Sequence, residues 1–355
     1  MHRRTFVSHT ALLGATAALR PSLAHGQPGP RPLIMDAMGE LRNEYDDALI
    51  RDMLASGMRA ITVTLCDPKP TGAEGLELAI DGVVEYDRMI AGRSAFFLKA
   101  TTVRDIDRAR RAGKMAVFYL FQNSDQFGAH LDRVDIFYRL GVRSSQITYN
   151  ERNRAGTGCR AGEDGGLSPF GRELVEKMNA VGMLVDLSHA NQRTMAETAA
   201  ASRKPVIISH TACMAVHQNV RNSSDEVMRA VAKGGGVIGV CQMRPFLTRK
   251  KEDNLHAYFD HIDHAVKVAG IEHVGIGSDR DHRVITLTPE YLAELKKEEG
   301  SQVVDSDLPY FINELNGPRR MEVVRRGLEQ RKYRAADIDR IMGGNVYRVY
   351  KEVIG

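Results

Sequence analysis

The chain has 355 residues, is 43% hydrophobic and lacks Trp, and its 49 Lys and Arg against 45 Asp and Glu give a formal charge of +4. That length and apolar share support a full buried core, which excludes a disordered chain, and α/β barrels commonly run this long as one domain. The first 24 residues hold three arginines and no acid, so the remainder carries only about +1, which excludes a basic footprint for nucleic acid or a membrane surface.

Arg3 and Arg4 are paired, followed by Thr5-Phe6-Val7 and a weakly apolar run of Ala, Leu and Gly, with Ser22 and Ala24 at a cleavage position. This layout predicts a twin-arginine export signal over residues 1–24, the export machinery as a partner, and a periplasmic or otherwise exported destination. Such export carries proteins already folded, often with a metal loaded beforehand. An unprocessed amphipathic N-terminus is the plainer alternative. The apolar run is too short and too interrupted for a stable membrane span. The fold is expected over residues 30–355.

From there, β and α segments alternate. Strands are predicted at Leu33–Ala37, Arg59–Leu65, Met115–Phe121, Ser144–Thr148, Met183–Leu187, Val206–Ile208, Gly236–Cys241 and His273–Gly277. Helix-period stretches fall between them at Asp46–Ala55, Ala79–Met89, Val103–Ala112, Leu131–Leu140, Gly171–Ala180, Met228–Lys233 and Asn254–Ala269. Gly57, Gly113, Gly141, Gly182 and Gly270 each lie between a helix and the next strand, where a left-handed cap is wanted. Eight strands with alternating helices predict a single (β/α)8 barrel of TIM type, with a doubly wound sheet as the alternative. A polar stretch, Asp281–Asn316, reads as an excursion over the rim, and helices close the chain around Arg319–Arg331 and Ala335–Val353. Cys66, Cys159, Cys213 and Cys241 allow three disulfide pairings. Their wide spacing is not that of a disulfide scaffold, so at least two are expected free and buried.

In such a barrel the C-terminal strand ends carry the reactive groups. Residues 181–222 form a βαβ unit in which both strands end in Ser-His, at His189 and His210, and two imidazoles on one rim suggest a metal site. The plainer reading of each is a strand-end histidine with a hydrogen-bond partner. In order, the strand ends offer Met38 and Glu40, Cys66 with Asp67, Gln122, Tyr149 with Glu151, His189, His210, Cys241 with Gln242, and Asp279. An Asp just after a buried last strand is placed to take a proton from an attacking water, although capping a turn is its ordinary use. A thiolate ligand from Cys66, Cys213 or Cys241 is a lesser reading than three buried small hydrophobes.

Several runs now carry a resemblance: Met183-Leu-Val-Asp-Leu-Ser-His189, Pro205-Val-Ile-Ile-Ser-His210, Arg221-Asn222, Lys233-Gly-Gly-Gly, Asp260-His-Ile-Asp-His264, Val274-Gly-Ile-Gly-Ser-Asp279 and Ile341-Met-Gly-Gly-Asn345. In this order and spacing they resemble the membrane (renal) dipeptidase family of the amidohydrolase superfamily. The resemblance implies a barrel whose two-zinc site hydrolyses dipeptides, including dehydro- and D-residue-containing ones, and points to pairing as a homodimer. It places His189 and His210 as ligands of the second metal, Asp279 as the catalytic aspartate, and Arg221, followed by Asn222, at the substrate's free carboxylate. A guanidinium fork suits that last role.

The other half of the family pattern is altered. Met38 and Glu40 stand where it has His-x-Asp, Gln122 where it has a bridging glutamate, and Tyr149 where it has an active-site histidine. Losing an anionic bridge and an imidazole weakens the first metal position. The expectation is therefore one zinc rather than two, held by His189 and His210 with Gln122 or Glu40 supplying oxygen, and with Tyr149 donating to a developing oxyanion. The function expected is an exported metallohydrolase cleaving a dipeptide or small amide that bears a free carboxylate. A same-scaffold enzyme tailoring an exported peptide-like metabolite, and a non-catalytic metal- or peptide-binding relative, are the alternatives.

Overall fold

Nine parallel strands form the sheet: β1 (Ile34–Gly39), β2 (Met58–Thr64), β3 (Phe97–Lys99), β4 (Met115–Phe121), β5 (Val142–Gln146), β6 (Leu184–Asp186), β7 (Ile207–Thr211), β8 (Val237–Val240) and β9 (Val274–Ile276). The structure is a computed structural model and describes residues 32–252, 254–299 and 305–355. The export signal expected over residues 1–24 lies outside them. Eight strands run in chain order around the sheet, β1-β2-β4-β5-β6-β7-β8-β9. At the seam the amide of Asp279 donates to Met38 O at 2.9 Å and that of Glu40 to Arg280 O at 3.2 Å. First and last strands therefore meet, so the sheet is a nearly closed (β/α)8 barrel, and the doubly wound alternative, which needs a reversal of strand order, is excluded.

Most strands are apolar runs because both faces are covered; all seven residues of β4 are buried, and in β5 the buried Arg143, Ser144, Ser145 and Gln146 are the exception. The sequence missed β3. Its three residues are too few to show a period, and it pairs with only the first half of β4, through Met115–Val117, while β5 takes Tyr119–Phe121. All five glycines assigned to helix ends have positive φ, with Gly141 at 110° and Gly182 at 83°. The helix expected at Ala79–Met89 extends over Gly72–Gly92, and that expected at Met228–Lys233 starts at Asp225, behind the Ser224 cap.

Alternate strand residues serve two cores. Met35, Ala37, Ala60, Ala116 and Phe118 pack with the closing helix Asn345–Val353, while Ile61, Val63, Val117 and Tyr119 belong to the larger cluster shared with other helices. The closing helix delivers Tyr350 to Thr62, hydroxyl to hydroxyl at 2.6 Å. Asn345 holds it to the β9 side, donating to Ile271 O and Val274 O at 2.7 and 2.8 Å. The single terminal helix expected over Ala335–Val353 is interrupted by a π-turn, Arg340–Gly344. Strands β7, β8 and β9 approach so closely that a Cβ on Gly239 or Gly277 would lie 2.0 or 1.6 Å from Ser209 O. Described parts of the expected excursion reach the rim, where Leu295, Asp307 and Tyr310 line the cavity over the strand ends. Arg244 fastens it, donating through Nε to Pro309 O at 2.6 Å and through its amide to Tyr310 O at 2.9 Å.

Candidate active site

His189 follows β6 and His210 lies in β7, and their Nε2 atoms stand 2.9 Å apart. Each ring is oriented from behind. Nδ1 of His189 donates to Asn150 Oδ1 at 2.8 Å. Nδ1 of His210 lies 2.8 Å from Ser209 Oγ, whose own proton goes to Asp186 Oδ2 at 2.5 Å, so the ring donates to the hydroxyl. Asp186 also accepts from the amide and hydroxyl of Ser188 and from the amide of Ser209. The serines of the two Ser-His endings are thus the hooks of one buried carboxylate. That repeated Ser was the signal the sequence held for this network; nothing in the spacing pointed to Asn150.

With both Nδ1 protons committed, both Nε2 atoms present lone pairs to each other. Burial, and then the Arg221 guanidinium, hold both rings well below the usual histidine range. Two lone pairs facing at this distance repel unless a cation joins them, so this donor pair fits one divalent ion. Glu40 Oε2 already accepts from Nε and NH2 of Arg42 at 2.8 and 2.7 Å, and Arg42 also pairs with Asp281 at 3.1 Å. Met38 and Gln122 line the same cavity but offer a thioether and a neutral amide. Among the described residues no group of three or more His, Cys, Asp or Glu side chains surrounds a single point.

A cavity of about 520 Å³ opens over the strand ends, and Met38, Glu40, Gln122, Tyr149, His189, Arg221 and Asp279 all reach it. Among the described residues, His189 and Asp279 are two of the three non-glycine positions with positive φ, at 67° and 54°. Such strain persists where the surroundings over-determine a conformation, as at functional sites. Burial pushes the Asp279 carboxyl up, against the pull of Arg221 and Arg280, which suits a proton acceptor working near neutrality. Tyr149 stacks on His189 with ring centroids 4.2 Å apart at 28°.

Arg221 is 2% exposed and lies over the Phe246 ring at 5.3 Å, with NH1 lacking a partner. Asn222 is placed differently. It is absent from the cavity wall, and its amide donates to His217 O and Phe246 O at 2.7 and 2.8 Å, fastening the loop that presents Arg221. Arg160, which the sequence reading passed over, also lines the cavity. No disulfide forms. Cys213 and Cys241 are buried, Cys66 and Cys159 half-buried, and burial pushes the Cys66 and Cys241 thiols up to about 12, so both remain protonated.

A parallel barrel with His189, a strained aspartate and a buried arginine around one C-terminal cavity, and His210 buried behind His189, has the architecture of the amidohydrolase class. An amidohydrolase from Pseudomonas aeruginosa has the same fold, at 27% identity and a TM-score of 0.79, covering 91% of this chain and 96% of that one. The profile of the family described as membrane dipeptidase (peptidase family M19) matches residues 48–297, and the chain belongs to that family of metal-dependent hydrolases. It is 32% identical over 249 residues to an uncharacterised dipeptidase of Schizosaccharomyces pombe, over 68% of this chain and 54% of that protein. It is 30% identical over 253 residues to the dipeptidase tcpJ of Claviceps purpurea, over 70% and 53%. The chain spans about half the length of these curated relatives.

Proposed function

We propose that the protein is an exported hydrolase that cleaves the amide bond of a dipeptide or small amide bearing a free carboxylate, using one metal ion. The observation that carries this reading is the arrival of Asp279, Arg221 and His189 at one cavity. Arg221, buried with an unpartnered NH1, takes the substrate carboxylate in a charge-assisted fork. A divalent ion on His189 and His210 supplies Lewis acidity that makes water a nucleophile near neutral pH. Asp279 accepts the proton of the attacking water and passes it to the leaving nitrogen. Tyr149, held flat against His189, donates to the oxygen that gains charge.

Turnover of a panel of dipeptides and N-acyl amino acids tests the chemistry. Asp279→Asn and His189→Ala should each abolish it, and activity surviving both would sink the assignment. Metal analysis of protein purified without added metal should give about one equivalent. Two tightly held ions would overturn the single-ion reading. The paired Arg3 and Arg4 support export through the twin-arginine route. Arg3→Lys with Arg4→Lys should leave the protein in the cytoplasm, and unchanged fractionation would remove that part.

A further inference from the structure

The same cavity reads along its length as a specificity device, and this inference rests on the hydrolase reading above. The Asp279 amide donates to Met38 O and the Glu40 amide to Arg280 O, and Asp279, Glu40, Arg42 and Arg221 line one cavity. Asp279 is thus a neighbour both of the carboxylate-binding guanidinium and of the Glu40–Arg42 pair. A free dipeptide anchored at Arg221 carries its ammonium at the other end, beyond the bond to be cut. A desolvated ammonium needs an anion in contact.

Apart from Asp279, which serves the attacking water, this cavity withholds one there. Glu40 is spent on Arg42, and Arg42, paired in turn with Asp281 at 3.1 Å, lines the same cavity. Met38 beside it is a fully buried thioether. Gln122, at the same cavity, is a neutral amide that offers both a donor and an acceptor. Other carboxylates at the wall lie towards water or are engaged. Glu44 is exposed, Asp67 sits beside Lys69 at 3.8 Å, Glu85 accepts from Asn43 at 2.6 Å, and half-buried Asp307 stands away from Glu40 on the rim segment that Arg244 holds through Ser306 O at 3.3 Å. Charges so placed are screened and hold little. Leu41, Leu65 and Met89 add an apolar wall to the same cavity.

We infer that the site selects an N-acylated amino acid over a free dipeptide, with the carboxylate on Arg221, the acyl group against Met38 and the apolar wall, and Gln122 bonding to the blocked end. Hydrolysis adds one water across the acyl C–N bond. The hydroxyl joins the acyl carbon, which leaves as a carboxylic acid, and the proton goes to nitrogen, which leaves as the amine of the amino acid. The Glu40–Arg42 pair is the selecting element: with its charge neutralised by Arg42, the Glu40 carboxylate no longer welcomes an ammonium.

Propionyl-alanine and alanyl-alanine differ only by the ammonium, so this pair isolates the effect. With full-length protein carrying its own metal, kcat/KM should favour propionyl-alanine about tenfold or more, and calorimetric binding should show the same order. Equal or better use of alanyl-alanine overturns the inference, as does binding that does not distinguish the two. Tighter binding of propionyl-alanine with turnover of neither would uphold the selectivity and sink the hydrolase reading instead. Arg42→Ala, which returns the Glu40 carboxylate to the cavity, should shift the ratio towards alanyl-alanine about tenfold. An unchanged ratio in that variant removes the role given to the pair.

Discussion

Asp36 accepts two hydrogen bonds from Ser278, one from its amide at 2.8 Å and one from its hydroxyl at 2.6 Å, across 242 residues of chain. The bond joins β1 to the segment after β9 and seats Asp279 immediately beyond the barrel seam. Asp186 and Ser209 repeat the arrangement between β6 and β7, where the next residue is His210. In both places a buried carboxylate on one strand hooks the serine that precedes a functional side chain on its neighbour.

Burial pushes the Asp36 carboxyl up to about 6, against the pull of the Arg320 guanidinium 3.8 Å away. The folded state therefore holds this proton more tightly than the unfolded chain. Its contribution to stability is full below about pH 4 and is lost as the pH rises through 6, with a ceiling of about 3 kcal/mol. Asp36→Asn has no such dependence, so its melting temperature relative to wild type should rise between pH 4 and pH 7. A constant difference across that range would show that Asp36 titrates normally.

Asn150→Ala and Ser209→Ala each release one imidazole from its orienting partner. Metal affinity, measured by chelator competition, should fall about 10- to 100-fold in either variant while circular dichroism stays unchanged. Unaltered affinity would mean that the rings are held by packing alone.

Replacing Arg221 by Lys keeps the charge and loses the fork. KM for a carboxylate-bearing substrate should rise about 10- to 100-fold with kcat less affected. The corresponding amide-capped substrate should show no such change. If both substrates respond alike, Arg221 does not read the carboxylate.

Tyr149→Phe preserves the ring stacked on His189 and removes only the hydroxyl. A fall in kcat of about tenfold or more at steady KM is expected for loss of an oxyanion donor. Full activity would leave Tyr149 as a wall of the cavity.

Gly277→Ala places a methyl group where only 1.6 Å separates it from Ser209 O. Strands β7 and β9 would have to part at the level of His210 and Asp279. Denaturant unfolding should register a loss of about 3 kcal/mol or more. A loss within 0.5 kcal/mol, the usual range for surface changes, would mean that the strands yield easily.

The barrel and much of its rim were legible before any coordinates. Most of the strands announce themselves as apolar runs bounded by turn residues, because a strand covered on both faces has a local signature; β5, Val-Arg-Ser-Ser-Gln, is polar though buried. His189, His210 and Asp279 follow from position alone, since parallel strands in a barrel all point their C-terminal ends to one side. β3 escaped because three residues carry no period. The partners that give the site its chemistry also escaped. Asn150 meets His189 across 39 residues, Arg42 claims Glu40 although a ligand role was expected for it, and Asn222 turns from substrate to loop. Such choices depend on which side chains share a few ångströms once the barrel has closed. A donor takes the nearest acceptor in space, and spacing along the chain records strand ends but not that competition.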